Sequence, residues 1–182
     1  MATTIGADAF PGGTWVTGSG GHVLSQLCSS APAGTISVSR AWIRRDSGDP
    51  TQPQLRMAIY DATWSTRYGF SDVLTLTDAN TSVGSFQQKT FTWSTPASGW
   101  SASANLQLIL QFDPNGTALT TGATAGGGGG NEFDGYTFAS GAPASLTSPT
   151  ARTVSFPLSA DVDPPVVGGG GGQINRLLLG VG

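Results

Sequence analysis

The sequence predicts an all-β protein: a jelly-roll-like antiparallel β-sandwich with a glycine-rich, irregular C-terminal third. Three observations carry this. Leu106, Leu108, Leu110 and Phe112 share one parity while Gln107 and Gln111 take the other, the period of a strand with one face in a core. No segment sustains an apolar i, i+3, i+4, i+7 pattern between helix caps. A length of 182 residues with 38% hydrophobic content suits one sandwich with a full core and is short for two domains.

The elements follow in order. Residues 1–21 are rich in Gly, Thr and Ala, with Phe10, Trp15 and Val16 as the larger apolar side chains, and read as an arm or edge segment that turns at Gly18, Gly20 and Gly21. Residues 22–28 form the first predicted strand, with Val23 and Leu27 expected in the core. Residues 35–45 form the second: Ile36 and Val38 share one parity, Ala41 and Ile43 the other, so a bulge is expected near Ser39 and Arg40. Asp46-Ser47-Gly48-Asp49-Pro50 has the chemistry of a turn. Residues 54–61 alternate cleanly, with Leu55, Met57 and Ile59 on one face and Arg56, Ala58 and Tyr60 on the other. Residues 62–71 read as a loop, 72–77 as a short strand, and 86–93 as a strand with Phe91 and Trp93 on one face. A loop around Pro96 and Trp100 leads to the strand 105–112, which Asp113-Pro114-Asn115-Gly116 closes.

The last third contains two five-glycine runs, 126–130 and 168–172. Such runs fit either a flexible loop or a backbone packed too closely for side chains. The domain plan is therefore an arm or edge at 1–21, a sandwich at 22–162, and a glycine linker with an apolar strand or arm at 163–182. Ile174, Leu177, Leu178 and Leu179 are the candidate subunit-contact residues of that last segment. Burying four such side chains would contribute on the order of 6–12 kcal/mol before ordering costs, so the segment is expected to be buried, in its own sheet or a neighbour's.

Composition narrows function. Charged residues make up 10% of the chain, against about 25% in average soluble domains, and there is one His and one Cys. That is poor material for acid–base, nucleophilic or metal chemistry, and the chain is read as a structural or binding module, not an enzyme. A net charge of −3 gives no basic footprint for nucleic acid. The cluster Arg40, Arg44 and Arg45 is read as an exposed strand face paired in part with Asp46 or Asp49. Cys28 has no partner for an intrachain disulfide. No stretch approaches the ~18 apolar residues of a membrane helix, and the first fifteen residues lack the charged and apolar regions of a secretory signal. Synthesis in the cytoplasm is the expectation.

The stretch TISVSRAWIRRDSGDPTQPQLRMAIYDAT (35–63) resembles a β-sandwich pattern in which a strand ending in basic or polar residues meets a Gly/Pro turn and then a strand ending AIYDA. FTWSTPASGWSASANLQLILQF (91–112) is similar to the later half of the same pattern. Such jelly-roll modules occur in bacteriophage virion proteins (tail fibre, neck, decoration) and in carbohydrate-binding modules. The resemblance spans roughly residues 23–112 and implies a fold and a binding role, with no catalytic residues to carry over. It implies a virion component, made in the host cytoplasm, whose partners are other virion proteins and further copies of itself, a trimer by analogy. The alternative it implies is a carbohydrate-binding or adhesin module that meets a host-surface glycan.

Candidate sites follow from both readings. Trp64, Tyr68 and Trp100 fall in predicted loops, where flat rings can stack on a sugar or cover the core; they are the candidate ligand-binding residues. Trp42 and Trp93 lie in strands and are assigned to the core. His22 follows two glycines, but no G-x-S-x-G elbow accompanies it, and no catalytic residue is assigned. Asp46, Asp49, Asp61, Asp72 and Asp78 could offer oxygens to calcium but lack EF-hand spacing, and they read as turn formers. No metal or cofactor is assigned.

Overall fold

The computed structural model describes residues 1–10, 12–17, 23–46, 52–113, 119–133, 136, 138 and 142–165, and of residues 14–17 and 119–128 the backbone alone. His22, Asp49, the second glycine run and Ile174, Leu177, Leu178 and Leu179 lie outside the described residues. The described chain is all β: β1 (Thr3–Gly6), β2 (Gly13–Thr17), β3 (Val23–Ala31), β4 (Thr35–Arg45), β5 (Gln54–Asp61), β6 (Arg67–Phe70), β7 (Leu74–Thr75), β8 (Gln87–Ala97), β9 (Ala104–Asp113), β10 (Leu119–Phe133), β11 (Thr150–Ser155) and β12 (Leu158–Asp163).

The strands form two antiparallel sheets packed face to face. In the first, β4 has β8 along one edge, while β12 and then the start of β10 follow one another along the other. There β1 extends β12 outward and β2 flanks β10. In the second, the order runs β11, β10, β3, β9, β5, with β6 and β7 in succession on the outer edge of β5. The long strand β10 serves both sheets: residues 119–123 pair with β2, and residues 130–133 pair with β3.

Alternation builds the core between the sheets. Leu106, Leu108, Leu110 and Phe112 of β9 and Leu55, Met57 and Ile59 of β5 point inward from the second sheet. Ile36, Ala41 and Ile43 of β4, Phe91 and Trp93 of β8, and Leu158, Ala160 and Val162 of β12 meet them from the first. The Trp93 indole N–H is satisfied inside this core by the Ser39 hydroxyl at 3.0 Å.

The second sheet is also buried on its other face. Val23, Ala58, Tyr60, Ile109 and Phe133 form a second apolar layer, closed by Ala142 and Leu146 with Trp64 and Tyr136 against it. Leu146 N–H donates to the Trp64 carbonyl at 2.9 Å, and the Tyr60 hydroxyl donates to the Pro143 carbonyl, so this cover is pinned by backbone acceptors as well as by apolar contact.

Several sequence expectations change here. Val23 is buried as expected, in the second apolar layer, whereas Leu27 is half-buried and Leu24, Cys28 and Ala31 are the β3 residues of the inter-sheet core. The bulge in β4 sits between Ile36 and Val38, earlier than the parity switch suggested. Residues 67–70, expected as loop, form edge strand β6. Gly69 conceals it, because a Cβ there would lie 2.7 Å from the Ala97 Cβ, where the edges of the two sheets meet. The first glycine run lies inside β10, and at Gly130 a Cβ would meet the Val154 carbonyl oxygen at 2.5 Å, so there the backbone is close-packed; the described residues of the last third hold three strands.

Leu108→Ala should cost about 2–5 kcal/mol of unfolding free energy, read from the urea midpoint, since Leu108 is fully buried on a strand paired on both sides. A loss below ~1 kcal/mol would show that the inter-sheet contact is looser than described. Burial also pushes the Cys28 thiol up to about 12, only partly opposed by a hydrogen bond at the Leu108 backbone. Because the thiolate is the reactive form, Cys28 should resist an aromatic disulfide reagent at mildly alkaline pH until the protein is denatured. Rapid labelling of the folded protein would contradict this burial.

Candidate interaction site

The three loop aromatics do not form one platform. Trp64, at a positive φ of 57°, turns onto the covered face of the second sheet, with its ring 5.4 Å from that of Phe133 and its N–H directed at the Ser25 hydroxyl. Trp100 is 6% exposed, belongs to the inter-sheet core, and donates to the Pro32 carbonyl at 2.7 Å. Tyr68 packs edge-on to Trp100 at 5.7 Å. The structure thus brings Tyr68 and Trp100 together and leaves Trp64 on the opposite face of the sheet. Beside Tyr68, a cleft of about 250 Å³ is lined by Phe70, Asp72, Ser94 and Pro96, with the Ser94 hydroxyl donating to Asp72 at 2.7 Å.

An aromatic surface forms elsewhere, on the outer face of the first sheet. Trp42 has the parity of Arg40 and Arg44, so it points away from the core that Ala41 and Ile43 enter. Its assignment to the core is therefore corrected: Trp42 is half-buried by a neighbour from the N-terminal arm. Phe10 stands edge-on to Trp42 at 5.0 Å and to Phe86 at 6.2 Å, and the Arg44 guanidinium lies over the Phe86 ring at 5.3 Å. Phe10 itself is 64% exposed. Asp8 fastens the arm that carries it. Its carboxylate accepts from Gln88 at 2.6 Å and Ser159 at 2.9 Å, and its carbonyl accepts from the Trp42 indole at 3.3 Å. The parity of Trp42 with two arginines was the signal in the sequence; the partnership with Phe10 had none, because it joins distant parts of the chain.

Charged groups on this face are paired. Arg40 grips Asp161 through two nitrogens at 3.1 and 2.6 Å, and Thr4 adds a hydroxyl donor at 2.9 Å, tying β1, β12 and β4 together. The Arg40 hydrogen bond is the main cause that holds the Asp161 carboxyl below the usual carboxylate range, against the opposing effect of burial. Arg44 pairs with Asp46 at 2.7 Å, as expected. Arg45 does not join an exposed face: it is buried and reaches Asp78 at 2.6 Å.

Of the described aspartates considered for calcium, none belongs to a group of three or more metal-ligating side chains. Asp61 folds its own turn, accepting from Thr63 and Ser65 through both backbone and side chain. Burial raises its pKa, but those bonds outweigh it and leave it lowered. Among the described residues, no three His, Cys, Asp or Glu side chains converge as metal ligands, and no helix is long and apolar enough to cross a membrane.

The fold and this surface define the described chain as a β-sandwich with an aromatic outer face on one sheet and a covered outer face on the other. No protein-family model matches it, and no curated protein matches it.

Asp161→Asn should lower stability by about 1–2 kcal/mol at neutral pH through loss of the charge-assisted bonds to Arg40. A depressed carboxyl pKa contributes stability above its unfolded value near 4 and loses it as pH falls through the folded value. The gap between variant and wild type should therefore close in acid. Urea titrations at neutral and strongly acid pH check this, and a gap independent of pH would refute it.

Proposed function

We propose that the protein is a non-enzymatic structural component of a bacteriophage virion, a capsid decoration or tail, neck or fibre part, working through protein–protein contacts. The observation that carries this reading is the cluster of an exposed Phe10 with half-buried Trp42, Phe86 and Arg44 on the outer face of the first sheet. Aromatic residues and arginine concentrate binding energy at protein interfaces because they bury large area at small entropic cost. The virion assignment itself rests on the resemblance of 35–63 and 91–112 to virion sandwich modules. Its partners would be other virion proteins and copies of itself, with a trimer as the preferred assembly.

The carbohydrate-binding alternative loses its three-ring platform. What favours it still is the small cleft at Tyr68, which sets two rings beside Asp72 and Ser94.

Phe10→Ser and Trp42→Ser should raise the dissociation constant of self-association by roughly tenfold or more, measured by sedimentation equilibrium of the full chain, with thermal unfolding changed far less. A monomer at every concentration, indifferent to both substitutions, would count against the assembly role.

A further inference from the structure

We propose that Arg56 anchors a carboxylate-binding site on the covered face of the second sheet, between the rings of Phe70 and Phe138. Arg56 is 6% exposed, in the middle of β5, with Gln111 opposite it on β9. Its guanidinium lies over Phe138 at 4.9 Å and over Phe70 at 5.4 Å. Its Nε and Nη1 are buried and meet no hydrogen-bond acceptor. Arg67 lies over the same Phe70 ring at 4.8 Å and brings a second positive charge to the spot.

The contrast with the ion-paired arginines is what marks the site. Arg40, Arg44, Arg45 and Arg152 each reach a carboxylate within ion-pair distance. Arg56 has two rings instead. Burial, then repulsion from Arg67, draws its pKa down, yet arginine remains cationic at any ordinary pH. Ring faces recover only a small part of what an ion loses on leaving water. A buried cation with unmet donors is satisfied by an anion.

The chemistry of that anion follows from the surroundings. A guanidinium takes a carboxylate through either of two forked edges, and each edge includes one of the two unpartnered nitrogens. The two rings lie against the guanidinium, so a ligand meets it at the nitrogens they leave unpartnered. A planar, singly charged carboxylate fits that slot; a phosphate dianion would demand more donors than Arg56 supplies, and a neutral hydroxyl would leave the charge uncompensated. Phe70, at 40% exposed, forms the outer lip where a ligand enters. This site stands apart from the Phe10–Trp42 surface and does not depend on the assembly role.

The test is a titration of the full-length protein with sodium acetate against sodium chloride at fixed ionic strength, following the Arg56 Nε–Hε resonance assigned through its bonds. Acetate should shift that resonance saturably and raise the melting temperature in step, whereas chloride should do neither. Arg56→Lys, which keeps the charge but loses the fork, should abolish the acetate-dependent rise in melting temperature, and Arg67→Gln should weaken it several-fold. A parallel titration with glucuronate identifies the source: binding at least tenfold tighter than acetate points to an acidic sugar, and equal binding points to a bare carboxylate such as an acidic side chain. An Arg56 resonance that responds to neither carboxylate, or responds equally to chloride, overturns the proposal, and that result does not require any variant to fold.

Discussion

The fold depends on one strand belonging to two sheets. β10 leaves β4 and β2 of the first sheet and reaches β3 and β11 of the second within fifteen residues. A strand can make that passage only if its backbone bends and lies close to what it crosses. Gly129 supplies a φ of +78°, and a Cβ on Gly130 would sit 2.5 Å from the Val154 carbonyl oxygen and 3.0 Å from the Phe156 ring. The register against β11 shifts between Ala125 and Gly130, across the glycine run. Glycine here costs entropy in the unfolded chain, and the return is a continuous covalent joint between the sheets. Cross-strand pairing on both sides of that joint fixes how the two inner faces meet, and so which side chains of β4, β5 and β9 can share a core.

That joint makes the two outer faces unequal. The second sheet is roofed by Tyr136, Ala142 and Leu146, which is why β5 and β9 are buried on both faces. The roof encloses polar groups along with apolar ones: Gln107 Oε1 has no partner beneath it, and neither do Nε and Nη1 of Arg56. Among the described residues, the outer face of the first sheet around Trp42 and Arg44 is dressed by the arm from Ala7 to Phe10, and the arm leaves the Phe10 ring largely in solvent. Contact chemistry is thus displayed on one face, and unmet hydrogen-bonding capacity is stored on the other.

The sandwich was legible in the sequence where one strand face is polar or where alternation is strict, as in 54–61 and 105–112. Both strands appear close to their expected bounds, and Thr35–Arg45 matches as read. Legibility failed where a residue's role depends on something far away in the chain. Trp42 reads as core because it lies in a strand, although its parity with Arg40 and Arg44 puts it outside. Trp64 and Trp100 both fall in loops, where the sequence leaves sugar stacking and core cover open, and a left-handed backbone at Trp64 and the Pro32 carbonyl near Trp100 draw them to opposite sides of one sheet. β6 was hidden by Gly69, which has no side chain to alternate but is required where Ala97 presses against it. The roof over the second sheet has no periodic signal at all.

A chain with so few charges makes each one informative. With eight basic and eleven acidic residues in 182, solubility rests on hydroxyls and amides, and an ion pair is a deliberate tie between strands. Arg40–Asp161 joins β4 to β12, Arg152–Glu132 joins β11 to β10, and Arg45–Asp78 secures the loop after β7. Each ties a strand or a loop to the element beside it. Arg56 breaks the pattern on a strand paired along both edges, which needs no such tie. Stability alone gives no reason to bury a cation there, since an apolar residue of similar volume would serve the layer around Tyr60 and Ile109 better. A cation kept under those conditions is kept for what it meets.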